Sequence, residues 1–169
     1  MLQPTPEINT IIETATNNAV TKNHEYVTLE HLLLAMVNHQ PFKTVIEQFG
    51  ADADALIEDL ESYLDDQTYL ISKGYDIVPK KTHSLERVFN RAYTQLLFSG
   101  RQHLQVIDLF LSIMSEDRSY ARYYLIKYGL DRKKLVDFWN ANYTEIKDKK
   151  KSRTGSAADN ILQEYCENL

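Results

Sequence analysis

Residues 7–20, EINTIIETATNNAV, and residues 84–97, SLERVFNRAYTQLL, carry one apolar pattern twice. In the first, Ile8, Ile11, Ile12, Ala15 and Ala19 fall on one helical face; in the second, Leu85, Val88, Phe89, Ala92 and Leu96 do. Spacings of three and four residues describe an amphipathic helix with one face to bury. The correspondence continues outward. Leu29, Leu32, Leu33 and Met36 match Val106, Leu109, Phe110 and Ile113. Phe42, Val45, Ile46 and Phe49 match Ala121, Tyr124, Leu125 and Tyr128, and Leu56, Ile57 and Leu60 match Leu135, Val136 and Trp139. Strand-type alternation is nowhere sustained. The chain is therefore read as all-α, with two tandem four-helix repeats over 7–64 and 84–143. Each repeat covers the other's apolar stripes around a pseudo-twofold axis.

Helix punctuation repeats too. Thr5-Pro6-Glu7 supplies an N-cap, a first-turn proline and a favourable acid, and Ser84 is expected to cap the equivalent helix. Gly50 and Gly129 stand where the third helices should end. Asp52 and Asp131 follow as N-caps of the fourth. The second copy carries two extra residues between its second and third helices. Residues 65–83, with Gly74 and Pro79, read as the connector that completes a domain over 1–143. Residues 144–158, TEIKDKKKSRTGSAA, read as a flexible, solvated linker. In 159–169, Ile161, Leu162, Tyr165 and Leu169 share one helical face, the expected beginning of a further module.

Composition bounds the function. With 19 basic and 24 acidic residues the formal net charge is −5, which argues against a nucleic-acid or anionic-membrane binder. Cys166 is the single cysteine, so no internal disulfide and no cysteine zinc site is expected. There is no signal peptide pattern and no membrane-length apolar run, so a cytoplasmic protein is expected. The five glycines are scattered and no phosphate-binding loop occurs. His24, His31, His39, His83 and His103 lack metal-ligand spacing. No catalytic residue, metal or cofactor is expected, and the chain by itself is read as a non-enzyme.

Glu25-Tyr26-Val27-Thr28-Leu29-Glu30-His31-Leu32-Leu33-Leu34-Ala35 resembles the T-x-E-H-[IL]-L-L-[AG] signature that opens the second helix of the Clp N-terminal domain family. Ser84 to Ala92 resembles the start of the second repeat in its ClpA branch, with Ser99-Gly100-Arg101 at a similar position. LQEYCENL resembles the lead-in to the family's first ATPase module. The resemblance spans roughly 7–143. It implies the recognition domain of a hexameric AAA+ unfoldase, which takes protein substrates directly or through a ClpS-like adaptor and feeds them to the ClpP peptidase. The whole protein would hydrolyse ATP, and this part of it is expected to be monomeric. A stand-alone helical regulator acting on an unfoldase in trans is the alternative.

The resemblance assigns adaptor binding to Glu25, Glu30, Thr82 and Arg87. Read from the residues alone, Thr28 is a cap and Glu30 a first-turn carboxylate facing the helix dipole while staying open to solvent. Thr82 and Arg87 read as a capping neighbourhood and a solvated helix face. The related ClpC branch carries T-E-H in both repeats, where the paired acids help bind phosphoarginine. Here the second copy reads Gln105-Val106-Ile107-Asp108, with Ile107 in the acid's place, which favours the ClpA branch. Tyr120, Tyr123, Tyr124 and Tyr128 offer either a peptide-binding surface or core rings with polar tips at water. The basic run Lys147, Lys149, Lys150, Lys151 and Arg153 reads as solvated linker.

Overall fold

The computed structural model describes residues 3–67, 71 and 78–144. Apart from Thr144, the expected linker and the helix over 159–169 lie outside them, as do Gly74, Cys166 and the basic run. Repeat one consists of α1 (Pro6–Thr21), α2 (Leu29–Asn38), α3 (Gln40–Phe49) and α4 (Ala53–Asp65). Repeat two consists of α5 (His83–Ser99), α6 (Val106–Ile113), α7 (Tyr120–Lys127) and α8 (Arg132–Trp139), closed by a π-helical turn at Asn140–Thr144. The doubled all-α architecture is the one the apolar stripes predict.

Local signals explain most boundaries. Thr5, Asp52 and Asp131 cap α1, α4 and α8 by accepting from Ile8 N, Ala55 N and Lys134 N. Gly50 and Gly129 end α3 and α7 at φ of 110° and 77°, where an L side chain is strained and glycine is not. The cap of α5 differs from expectation: Thr82, and not Ser84, accepts from Leu85 N at 3.2 Å. Ser84 lies inside the first turn, where its hydroxyl accepts from Arg87 Nη2.

Helices α2 and α6 form the centre. Leu29–Val37 and Val106–Ile113 are buried at every position, as expected of helices apolar around most of their circumference. The other helices wrap them with one face each. Ile8, Ile11, Ala15 and Ala19 of α1 and Leu85, Val88, Ala92 and Leu96 of α5 are buried, the residues their spacing singles out. The repeats share one core, for Phe42 of α3 meets Phe110 of α6 with ring centroids 5.0 Å apart.

Among the described residues four two-residue strands, which the sequence does not announce, stitch the repeats reciprocally. β1 (Gln3–Pro4), before α1, pairs in parallel with β4 (His103–Leu104), before α6. β2 (Tyr26–Val27), before α2, pairs in parallel with β3 (Lys80–Lys81), before α5. Each repeat thus contributes one strand to each pair, as a pseudo-twofold axis requires.

Candidate partner-docking surface

The β2–β3 pair brings two of the four sequence-assigned residues together. Lys80 N donates to Glu25 O at 2.9 Å and Thr82 N to Val27 O at 3.2 Å. Glu25, Tyr26, Lys80 and Lys81 therefore sit side by side where α2 and α5 begin, with Tyr26 and both lysines exposed. Arg87, one turn into α5, keeps 57% of its side chain exposed. Its Nε donates to Glu116 Oε1 at 2.9 Å. Glu116 belongs to the loop before α7, where the second copy holds its extra residues.

Glu30 departs from expectation. It lies in the first turn of α2 but is buried, at 8% exposure, and its Oε2 accepts from Ala121 N at 3.0 Å. That amide is one of the unsatisfied donors at the start of α7, so the carboxylate of one repeat closes a helix terminus of the other. Burial pushes the Glu30 carboxyl above the usual carboxylate range, opposed by the Ala121 amide. The correction has a simple cause: the helix start that Glu30 faces is itself covered by α7.

Behind Glu30 runs a chain of buried polar groups. Thr28 caps α2, and His31 Nδ1 accepts from Thr28 N at 2.9 Å, completing a capping box with histidine in the third position. That bond leaves His31 Nε2 as the donor toward His24 Nδ1, 2.9 Å away. Both rings are buried. Burial lowers His31 to about 4, aided by the nearby His24 and Lys22. His24 is lowered as well, by burial and by Lys22, against the opposing charge of Asp65. Lys22 pairs with Asp65. Neutral rings are what the burial of two facing imidazoles favours.

Residues 3–128 match the model of the Clp repeat (R) N-terminal domain. The chain belongs to this family. A ClpA homolog protein of Fuscovulum blasticum is 27% identical over 97% of the chain, which spans 23% of that protein's length. The Hsp104 N-terminal domain from Candida albicans superposes with a TM-score of 0.67 at 14% identity, over 80% of this chain and 88% of that one. A ClpV N-domain in complex with a VipB peptide gives 0.60 at 19% identity, over 77% and 80%.

In this Clp domain the second repeat answers the T-E-H sequence differently. Asp108, in the place of His31, accepts from Gln105 N at 2.9 Å and binds Arg101 through two nitrogens at 2.8 and 3.3 Å. Ile107, in the place of Glu30, is buried. The tyrosines divide between the two roles open to them. Tyr128 and Tyr124 are half-buried, Tyr128 donating to Ala55 O, whereas Tyr120 and Tyr123 are 57% and 58% exposed. Tyr63 of α4 joins them, 4.8 Å from Tyr120 and 6.0 Å from Tyr124. Among the described residues no three His, Cys, Asp or Glu side chains gather to hold a metal ion. No described helix is long and apolar enough to cross a membrane.

Proposed function

We propose that this chain is the partner-recognition domain of a cytoplasmic ClpA-like unfoldase, receiving protein substrates and a ClpS-like adaptor for degradation by ClpP. The ATPase modules and the peptidase contact belong to the remainder of such a protein. The observation that carries the reading is the β2–β3 surface. Glu25 and Thr82, far apart in sequence, flank its paired strands, with Tyr26, Lys80 and Lys81 beside them and Arg87 one turn into the adjoining α5. The peptide seated on a ClpV N-domain of the same fold supports it further. Glu25 and Arg87 present opposite charges to a partner, and Thr82 holds the start of α5 that carries Arg87. Glu30 acts one layer below as a positioning residue, fixing α7 and with it the loop that carries Glu116.

The test is calorimetric titration of the cognate ClpS-like adaptor onto wild type, Glu25→Lys, Arg87→Glu and the double variant. Each exposed charge contributes about 0.2–1 kcal/mol, and reversal adds repulsion to the lost attraction. The double variant should therefore lose roughly one to two decades of affinity with an unchanged melting temperature. Full affinity in the double variant defeats the surface assignment. Absence of any adaptor or substrate binding by the wild type defeats the function.

A further inference from the structure

Arginine is distributed between the repeats without regard to the pseudo-twofold axis. Residues 7–64 hold ten acidic residues, two lysines and no arginine; residues 84–143 hold six arginines and three lysines against six acidic residues. One of the six, Arg101, is bound to Asp108 at the start of α6. The other five gather at the opposite end of that helix. Arg132 Nη1 donates to Leu111 O at 2.9 Å, Arg91 Nη1 to Ser112 O at 2.9 Å and Arg122 Nε to Met114 O at 3.0 Å. Arg87 Nε donates to Glu116 Oε1, and Arg91 Nη2 lies 3.8 Å from the same oxygen. Arg118 stands exposed just before α7.

Closing the helix does not demand this concentration. The last carbonyls of a helix need donors, and at the equivalent end of α2 backbone amides supply them: His39 N donates to Ala35 O and Met36 O at 3.1 and 3.2 Å. Helix α6 has the same closure, from Met114 N to Phe110 O and from Ser115 N to Ser112 O, and receives the arginines in addition. Nor are their charges cancelled. A carbonyl holds a guanidinium in place without neutralising it. Two carboxylates share the corner: Glu116, buried beneath Arg87 and Arg91, and Asp117, 3.7 Å from Arg122 Nε. The side chains of Arg87, Arg91 and Arg122 remain 57%, 30% and 36% exposed, and Arg118 and Arg132 are exposed as well. Side chains already fixed by hydrogen bonds lose little further freedom when an anion binds them.

We propose that this arginine-rich corner between α6 and α7 is a docking site for an acidic segment of a protein partner, one carrying several aspartates or glutamates in a short run. This rests on the partner-recognition reading above and extends that surface beyond Arg87, which the two share. The guanidiniums keep N–H groups for carboxylates while their carbonyl contacts hold them in position. A short segment suits the corner where a nucleic acid or a membrane does not. The arginine contacts span six residues of backbone, from Leu111 to Glu116. A polyanion running further would meet repeat one, whose ten acidic residues repel it.

The test uses the 169-residue chain, isotope-labelled, titrated with the capped peptide acetyl-Gly-Asp-Glu-Asp-Glu-Gly-amide and with its Asn-Gln-Asn-Gln counterpart. Saturable shifts centred on Arg87, Arg91 and residues 114–122 are expected from the acidic peptide. It should bind at least about tenfold more tightly than the neutral one, as several exposed ion pairs together allow, and added salt should weaken it. Arg118→Glu, which breaks none of the contacts above, should weaken binding by about threefold or more with an unchanged melting temperature. Arg118→Glu combined with Arg122→Gln should abolish it. No shifts, shifts confined to the basic residues 147–153, or unchanged binding by Arg118→Glu overturns the site. So does tighter binding of an oligothymidylate at the same corner, which would make the ligand a nucleic acid. The adaptor titration, run in parallel on the wild type, separates the two readings. Adaptor binding by a chain whose corner ignores the acidic peptide removes this site and leaves the domain's function standing. Acidic-peptide shifts at the corner without adaptor binding remove the adaptor and keep the site.

Discussion

His31 and Glu30 are neighbours in sequence, and folding moves their protons in opposite directions. His31 drops from an ordinary value of 6.5 to about 4, so between those values the unfolded chain binds more protons than the folded one. Stability then rises with pH across that window and is lost as pH falls through it, by about 3 kcal/mol in full. Glu30 is raised from 4.5, so its contribution falls as pH rises above its unfolded value. Urea unfolding at pH 5 and pH 7 should find the wild type less stable at pH 5. His31→Gln should reduce that difference, leaving the smaller part due to the buried His24, and Glu30→Gln should enlarge it; a difference that His31→Gln leaves undiminished would refute the assignment. Glu30→Lys is expected to cost about 3–5 kcal/mol, since it buries a cation against the positive end of α7. It therefore cannot report on adaptor affinity, whereas Glu25→Lys can. That Glu30 begins a helix was legible in the Thr28-x-Glu30 spacing. Its burial was not, because the amide it serves lies 91 residues away and no local pattern points there.

Elements were legible where a period or a cap announced them. The stripes in α1, α5 and α3, the glycines after α3 and α7, and the aspartates before α4 and α8 were all readable, because each is a local steric or hydrogen-bond requirement. The four strands were not, because two residues have no periodicity and their pairing is decided by which helices pack together. At Gly129 a Cβ would meet nothing within 4 Å, so substitution there is charged to backbone strain alone. Gly129→Ala should destabilise by about 1–2 kcal/mol, and Gly129→Asn by less, since asparagine tolerates positive φ better. Thermal melts of the pair check this, and equal losses would point to a packing cause.

The molecule behaves as one unit because neither repeat owns a complete core. Helices α2 and α6 touch each other as well as their own repeats, both strand pairs are shared, and Glu30 closes a helix of the opposite half. Unfolding should be a single transition with coincident fluorescence and circular-dichroism midpoints. A chain ending at Gln67 should show no cooperative melt; a folded half-molecule would contradict the shared core. The stitched strands also give the domain a directional response to pulling. Traction applied at Thr144 unwinds the π-helical turn and then reaches α8, where Leu135 is the one buried residue, so that helix should peel away at low force and leave an intermediate. Traction from the N-terminal side must shear β1 from β4 and then draw out α1, whose Ile8, Ile11, Ala15 and Ala19 are embedded in the common core. From that end the domain should resist longer and then rupture in one event.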